Sequence, residues 1–176
     1  MPDSLSETEV NGLVWMREEE KLARDVYIHF YETWGLRIFN NISLSESTHM
    51  YAIKILLDRY EIEDPVAEDV VGIFESSALS DLYSILINRG DSSLVQALLV
   101  GATIEDLDIF DLGENTDAAD NEDILFAYDN LTKGSRNHIR SFTAKLDQYG
   151  EDYQAQYISE ALLDSILSSP KEIGHW

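Results

Sequence analysis

There is no cysteine among the 176 residues. Disulfides, thiolate nucleophiles, sulfur-bound zinc and iron–sulfur clusters are therefore excluded. Proline is almost as scarce. Pro2 and Pro170 lie near the ends and only Pro65 is interior, so long stretches are free to be helical. Positive charge is short as well: 12 Lys and Arg stand against 34 Asp and Glu, a formal net charge of −22. Such a surface repels nucleic-acid phosphates and anionic lipid headgroups, so neither nucleic acid nor a membrane is expected as a partner. It suits cations or salty surroundings. No apolar run reaches the roughly 18 residues that a membrane-spanning helix needs. The opening "MPDSLSETEV" lacks the basic and apolar regions of a secretory leader. The location expected is cytoplasmic, although a chain already stripped of its leader would read the same. Sustained strand-type alternation, solenoid repeats, glycine-rich phosphate loops and Ser-His-Asp arrangements are also missing.

What remains is helix. The length and the 44% of hydrophobic residues suit one domain, residues 1–176, with a full core. Ser6 and Glu9 form a capping box that predicts a first helix running to about Trp34 and stopping at Gly35. A second helix is expected from near Ser43 to the "EIEDP" that precedes Pro65. Short helical pieces follow, with Leu79, Leu82, Tyr83 and Leu86 on one face. A third long helix is expected from about Ser92 to Leu112, then an acidic loop "GENTDAADNED". A fourth runs from about Asn121 to Gln148 with a weak spot at Gly134, and Ile158, Leu162 and Ile166 mark a last amphipathic piece at about 157–168. The fold class is all-α. Roughly 30 residues between the second and third long helices suit a four-helix bundle with one long crossover and extra short helices, its core spanning about 8–150.

At steps of three and four, each long helix presents an inward stripe. The first carries Leu13, Met16, Glu20, Ala23, Tyr27 and Tyr31; the second Ile42, Glu46, His49, Ile53, Leu56 and Tyr60. The third carries Leu94, Leu98, Gly101, Glu105, Asp108 and Leu112; the fourth Ile124, Tyr128, Leu131, Ser135, His138, Phe142 and Leu146. Each stripe is apolar at both ends and interrupted near its middle, by Glu20, by Glu46 and His49, by Glu105 and Asp108, and by His138. Four carboxylates facing one another in a core are costly, because burial penalises each charge and like charges repel. Protonation removes that cost, but four coincident interruptions are better explained by cations between them. Two divalent ions would balance about four negative charges. Carboxylates and imidazoles without sulfur suit iron or manganese better than structural zinc. Glu46-x-x-His49 puts both side chains on one helical face, one turn apart.

These residues resemble a known family. "EKLARDVYIHF", with Glu20, Ala23 and Tyr27, is similar to the first-helix pattern of rubrerythrin and its ferritin-like relatives. "FNNISLSESTHM" resembles their second-helix Glu-x-x-His, "ATIEDLDIF" their paired third-helix acids, and "GSRNHIRSF" carries His138 where the fourth helix supplies its own. More narrowly, "REEEKLARDVY", "SESTHM", "VGATIEDLDI" and "GSRNHIRSF" look like an uncharacterised prokaryotic ferritin-like family labelled a domain of unknown function. The resemblance spans about residues 10–150. It implies an antiparallel bundle with a carboxylate-bridged di-iron or di-manganese centre. In that centre Glu46 and Glu105 would bridge, Glu20 and Asp108 would be terminal ligands, and His49 and His138 would serve one metal each. Dioxygen or peroxide would be the co-substrate in ferroxidase, peroxidase or oxidase chemistry, and analogy allows a homodimer. Ser135 departs from the pattern, because the family's fourth helix usually offers an acid three residues before its His. The rubredoxin-like Cys module of full rubrerythrin is also absent.

Blander readings stand beside this one. Glu18 and Glu19 read as surface charges, His29 and His175 as surface or tail residues, and Tyr27, Tyr31 and Tyr128 as core aromatics with hydrogen-bonded hydroxyls. Residues 111–122 carry acids at some calcium-loop positions, but Thr116 occupies the slot where an EF-hand needs Gly. The residues leave open whether the chain is an enzyme. The competing reading is a non-enzymatic acidic helical protein for partner binding, with at most a stabilising metal.

Overall fold

The structure, a computed structural model, describes residues 5–174. They form six helices and no strand. Helix α1 is Glu7–Trp34, α2 Arg37–Arg59, α3 Ser77–Gly90, α4 Leu94–Ala118, α5 Glu122–Asp147 and α6 Glu160–Ser168. The Ser6–Glu9 capping box is present, and Gly35 ends α1 in the left-handed region at φ 65°. Gly35 and Leu36 alone separate α1 from α2, so the chain doubles back at once. Arg17 reaches the Met50 carbonyl while Tyr27 lies against Phe39, so the two helices run in opposite senses. The same holds for α1 and α4, where Tyr27 meets Gly101 and Trp15 meets Asp111. It holds again for α4 and α5, through Gly101 with Phe142 and Glu105 with His138. Helix α5 also packs on α2, and α3 packs on α1 and α4.

The structure moves several expected boundaries. Helix α2 starts at Arg37, not near Ser43, and Leu36 gives it no side-chain cap; the two-residue link fixes the start, not a capping side chain. Helix α4 continues through Gly113 to Ala118, so most of the acidic segment read as a loop is helical and residues 111–122 form no calcium-type loop. The pieces before Gly90 are a single helix, α3, capped by Ser76. Gly134 does not interrupt α5. In α6, Leu163 is buried and Leu162 is exposed, and Tyr31 at the end of α1 is also exposed.

Helix α1 is enclosed. Residues 16–27, twelve in succession, are all buried. The α2–α3 connection closes over one side of them, held by α1's own charges. Glu18 accepts hydrogen bonds from the backbone N–H groups of Glu75 and Ser76, and Lys21 donates to the Val70 carbonyl. Asp25 accepts from the Gly72 N–H, and Arg17 and Arg24 pair with Asp64 and Asp69. Glu18 and Glu19 are thus interior, not surface, charges. In the same way buried Asp106 on α4 accepts from Tyr153 and from the N–H groups of Gln156, Tyr157 and Ile158, fixing the segment before α6. No helix among the described residues is long and apolar enough to cross a membrane.

Candidate metal centre

The apolar interior is split in two. One cluster centres on Tyr27, Phe30, Phe39 and Phe142. The other gathers Leu13, Met16, Ile53, Leu57, Leu112 and Leu131. Between them lies a polar layer made by the middle of each long helix. Glu20, Glu46, His49, Glu105, Asp108, Ser135 and His138 are all buried there.

Two sets of three donors converge within this layer: Glu20, Glu46 and His49, and Glu46, Glu105 and His138, each with its donor atoms within 4.8 Å of one another. Glu46 belongs to both. Its Oε2 is 2.7 Å from His49 Nδ1 and its Oε1 is 2.9 Å from His138 Nδ1. His49 Nδ1 is 3.1 Å from Glu20 Oε2, and His138 Nδ1 is 3.3 Å from Glu105 Oε2. The imidazoles stack with ring centroids 5.6 Å apart. Both present Nδ1 to the carboxylates. His138 Nε2 meets the Ser45 hydroxyl at 3.0 Å, a partner that fixes the ring and leaves Nδ1 free to serve as a ligand atom. Tyr27 donates to Glu105 Oε1 at 2.5 Å.

Gly134 explains why His49 fits. A Cβ at this position would sit 2.5 Å from His49 Cε1 and Nε2, so α5 can lie against the ring only because residue 134 has no side chain. The glycine read as a weak spot in the helix is a packing requirement of the site.

Protons hold this layer together when no cation is present. Burial pushes Glu20 up to about 7 against the opposing pull of His49, and Glu105 up to about 7 against His138. For Glu46 burial also works upward, but the two imidazoles outweigh it and hold the carboxyl well below its usual range. Burial alone would lower His49; Glu20 and Glu46 raise it to about 10. His138 is raised in the same manner by Glu46 and Glu105.

The donor set fits a cation. Glu46 is satisfied only by the two imidazole nitrogens that stand against its oxygens as ion pairs, and Glu20 Oε1 has no hydrogen-bond partner among the described residues. Buried acceptors left in this state cost free energy, and a shared positive charge removes that cost. Asp108 stands apart. It lies outside both donor sets, both of its oxygens lack a hydrogen-bond partner among the described residues, and burial followed by repulsion from Glu19, Glu20, Glu105 and Glu46 raises its carboxyl well above the usual range. Ser135 turns away from ligand duty by donating to the Leu131 carbonyl of its own helix. Among the other expected residues, Tyr27 is bonded as a core aromatic, whereas the buried Tyr128 hydroxyl has no partner among the described residues. His29 pairs with Asp91 near the surface. His175 lies outside the described residues. Sequence reasoning missed Glu19, which is buried beside Glu20 and faces Asp111; no period-based signal separates it from a solvated acid.

The fold and site define an all-helical protein whose buried acidic and histidine groups can hold a metal ion. Residues 9–170 match the profile of the family described as an uncharacterized protein domain, DUF2202, and the chain belongs to that family. It is 54% identical over 170 residues to the uncharacterized protein MJ0754 of Methanocaldococcus jannaschii, covering 97% of this chain and 92% of that one. The crystal structure of hypothetical protein MJ0754 from Methanococcus jannaschii superposes with a TM-score of 0.95 at 54% identity, covering 96% of each chain.

Proposed function

We propose that the chain is a ferritin-like four-helix bundle of α1, α2, α4 and α5, with the α2–α3 connection and α3 as its long crossover, and that it binds two iron or manganese ions. The observation that carries the reading is Glu46: one carboxylate shared by two three-residue donor sets, with Oε2 turned to His49 Nδ1 in one and Oε1 to His138 Nδ1 in the other. Glu20 and His49 would complete one position, and Glu105 and His138 the other. Asp108 is held in reserve beside them. An all-oxygen-and-nitrogen set of this charge favours iron or manganese. The ions would supply one-electron redox chemistry toward dioxygen or peroxide, which makes the protein an oxidoreductase of ferroxidase, peroxidase or oxidase type.

The chain's own residues contribute four things. Glu46 sets the spacing of the two positions. Ser45 and Gly134 orient the two imidazoles. Tyr27 keeps a proton at Glu105 Oε1 through its hydroxyl, whose acidity burial and then Glu105 suppress. The two apolar clusters exclude water from above and below the polar layer.

The test is metal content by mass spectrometry after expression with both metals available, for the native chain and for Glu46→Ala/His49→Ala. About two ions per chain, lost in the variant, is the expected result. One ion per chain points to the missing fourth-helix acid at Ser135. No ion, even after anaerobic ferrous loading, overturns the proposal and returns the chain to the non-enzymatic acidic helical reading.

A further inference from the structure

Positive charge is rare in this molecule, and its distribution is uneven. Eight of the 12 Lys and Arg side chains make an ion pair with a carboxylate. Among the described residues Arg37, Arg89, Lys145 and Lys171 do not. Arg89 is spent on the neutral amide of Gln96. The other three line one cleft of about 510 Å³. With acids nearly three times as numerous as bases, cations without an acid partner are not expected to gather by chance, and among the described residues no Asp or Glu lines this cleft.

His138 also lines the cleft. Its side chain is 10% exposed, while those of Glu20, Glu46 and Glu105 show no exposure at all. The cleft is therefore where the polar layer comes nearest to solvent. Its lining also includes Leu36, Arg37 and Ile38, the start of α2, where no side chain caps the helix and no acid stands in the first turn. The dipole of that terminus adds to the attraction of the three cations. Asn41 and Ser141 add neutral hydrogen-bonding groups to the lining. Elsewhere the surface field of a chain of net charge −22 repels anions.

We propose that this cleft is an anion-binding entrance that seats a small molecule bearing a carboxylate or phosphate group over His138. The role as an entrance rests on the metal centre proposed above; the binding of an anion does not. Arg37 and Lys171, which make no ion pair among the described residues, would grip the anionic oxygens. Lys145, bonded at 2.8 Å to the neutral Gln148, adds a third positive charge to the lining.

The test titrates the full-length metal-free chain with inorganic phosphate and, in a second arm, with succinate, at constant ionic strength by calorimetry. At least one probe is expected to bind saturably, and the tighter one assigns the anionic group. Arg37→Gln and Lys171→Gln should each weaken binding about tenfold, and Arg89→Gln should leave it unchanged. Thermal melts show that each variant is folded. With manganese loaded, the bound probe's nuclear relaxation (³¹P for phosphate, ¹³C for labelled succinate) should be accelerated, and the acceleration should disappear in Arg37→Gln/Lys171→Gln. Absence of binding by both probes overturns the proposal, as does binding that ignores Arg37 and Lys171. Binding that manganese in the chain does not sense overturns the entrance role. A chain that binds the probes through these cations but takes up no metal preserves the anion site and removes the metal centre instead.

Discussion

Two patches of buried charge lie on neighbouring faces of α1, and they are settled in opposite ways. On one face Lys21 reaches Asp25 at 2.5 Å, Arg24 bonds both Asp25 and Asp69, and the backbone of Gly72 completes the Asp25 carboxylate. Every charge there has a partner of opposite sign. On the other face Glu20 joins Glu46, Glu105 and Asp108, with two imidazoles and no Lys or Arg. The first patch is complete in the folded chain and does structural work by pinning residues 61–76. The second is complete only with protons or added cations. The difference teaches that burial of charge alone does not mark a site; burial of charge without compensation does.

The contrast can be broken experimentally, most strongly on the paired face. Lys21→Met leaves Asp25 with one cation instead of two and frees the Val70 carbonyl. It should destabilise the chain by about 3–5 kcal/mol, read by denaturant unfolding of the metal-free protein. Asp108→Leu should act in the opposite direction on the unpaired face. Removing a buried acid whose oxygens have no hydrogen-bond partner should stabilise the metal-free chain by about 1–3 kcal/mol, and the metal count of the variant shows whether Asp108 holds an ion. A stabilisation by Lys21→Met, or a loss from Asp108→Leu in metal-free protein, would erase the distinction between the two faces.

Acidity sharpens it. Glu20 and Glu105 carry folded-state values raised from 4.5 to about 7, and His49 from 6.5 to about 10. In each case the folded chain holds a proton that the unfolded chain gives up at lower pH. The stability of the metal-free protein should therefore fall as pH rises, first between 4.5 and about 7 and then between 6.5 and about 10. Thermal midpoints across that range check the sign. Cation uptake should release these protons, measurable as base consumed in an unbuffered titration. The smallest effect concerns fit. Gly134→Ala should favour helix α5 by up to about 1 kcal/mol yet push the His49 ring, weakening metal binding about tenfold as measured by competition with a chelator.

The polar layer was legible in the sequence because a helix repeats every three to four residues. Glu46 with His49, Glu105 with Asp108, and the lone His138 each fall on a line that is otherwise apolar, and a line is visible without knowing its neighbours. The capping box of α1 and its stop at Gly35 were legible for a similar reason, since both are local chemistry. Glu18, Glu19 and Lys21 were not. Glu18 and Lys21 are bonded to a connection that folds over α1 from some fifty residues away, Glu19 is buried facing Asp111 of α4, and no period reports either. The start of α2 was missed because Leu36 offers no cap, and the end of α4 because an exposed acidic turn resembles a loop in composition. Whether Asp108 joins a donor set depends on side-chain placement that spacing along one helix leaves undetermined.

The enclosure of Lys21, Asp25 and Arg24 also decides how the molecule meets salt. Exposed pairs such as Lys54–Asp58 are 39% and 63% accessible at their side chains, whereas Lys21 and Asp25 are 1% and 0%. Mobile ions screen the first kind within about one Debye length and scarcely enter the second. Rising ionic strength should thus dissolve the surface pairs and quiet the mutual repulsion of the outer acids while leaving the clasp on residues 61–76 intact. A chain of this charge that keeps its innermost fastening, Lys21 to Asp25, out of reach of the electrolyte should hold that joint alike in dilute buffer and in brine.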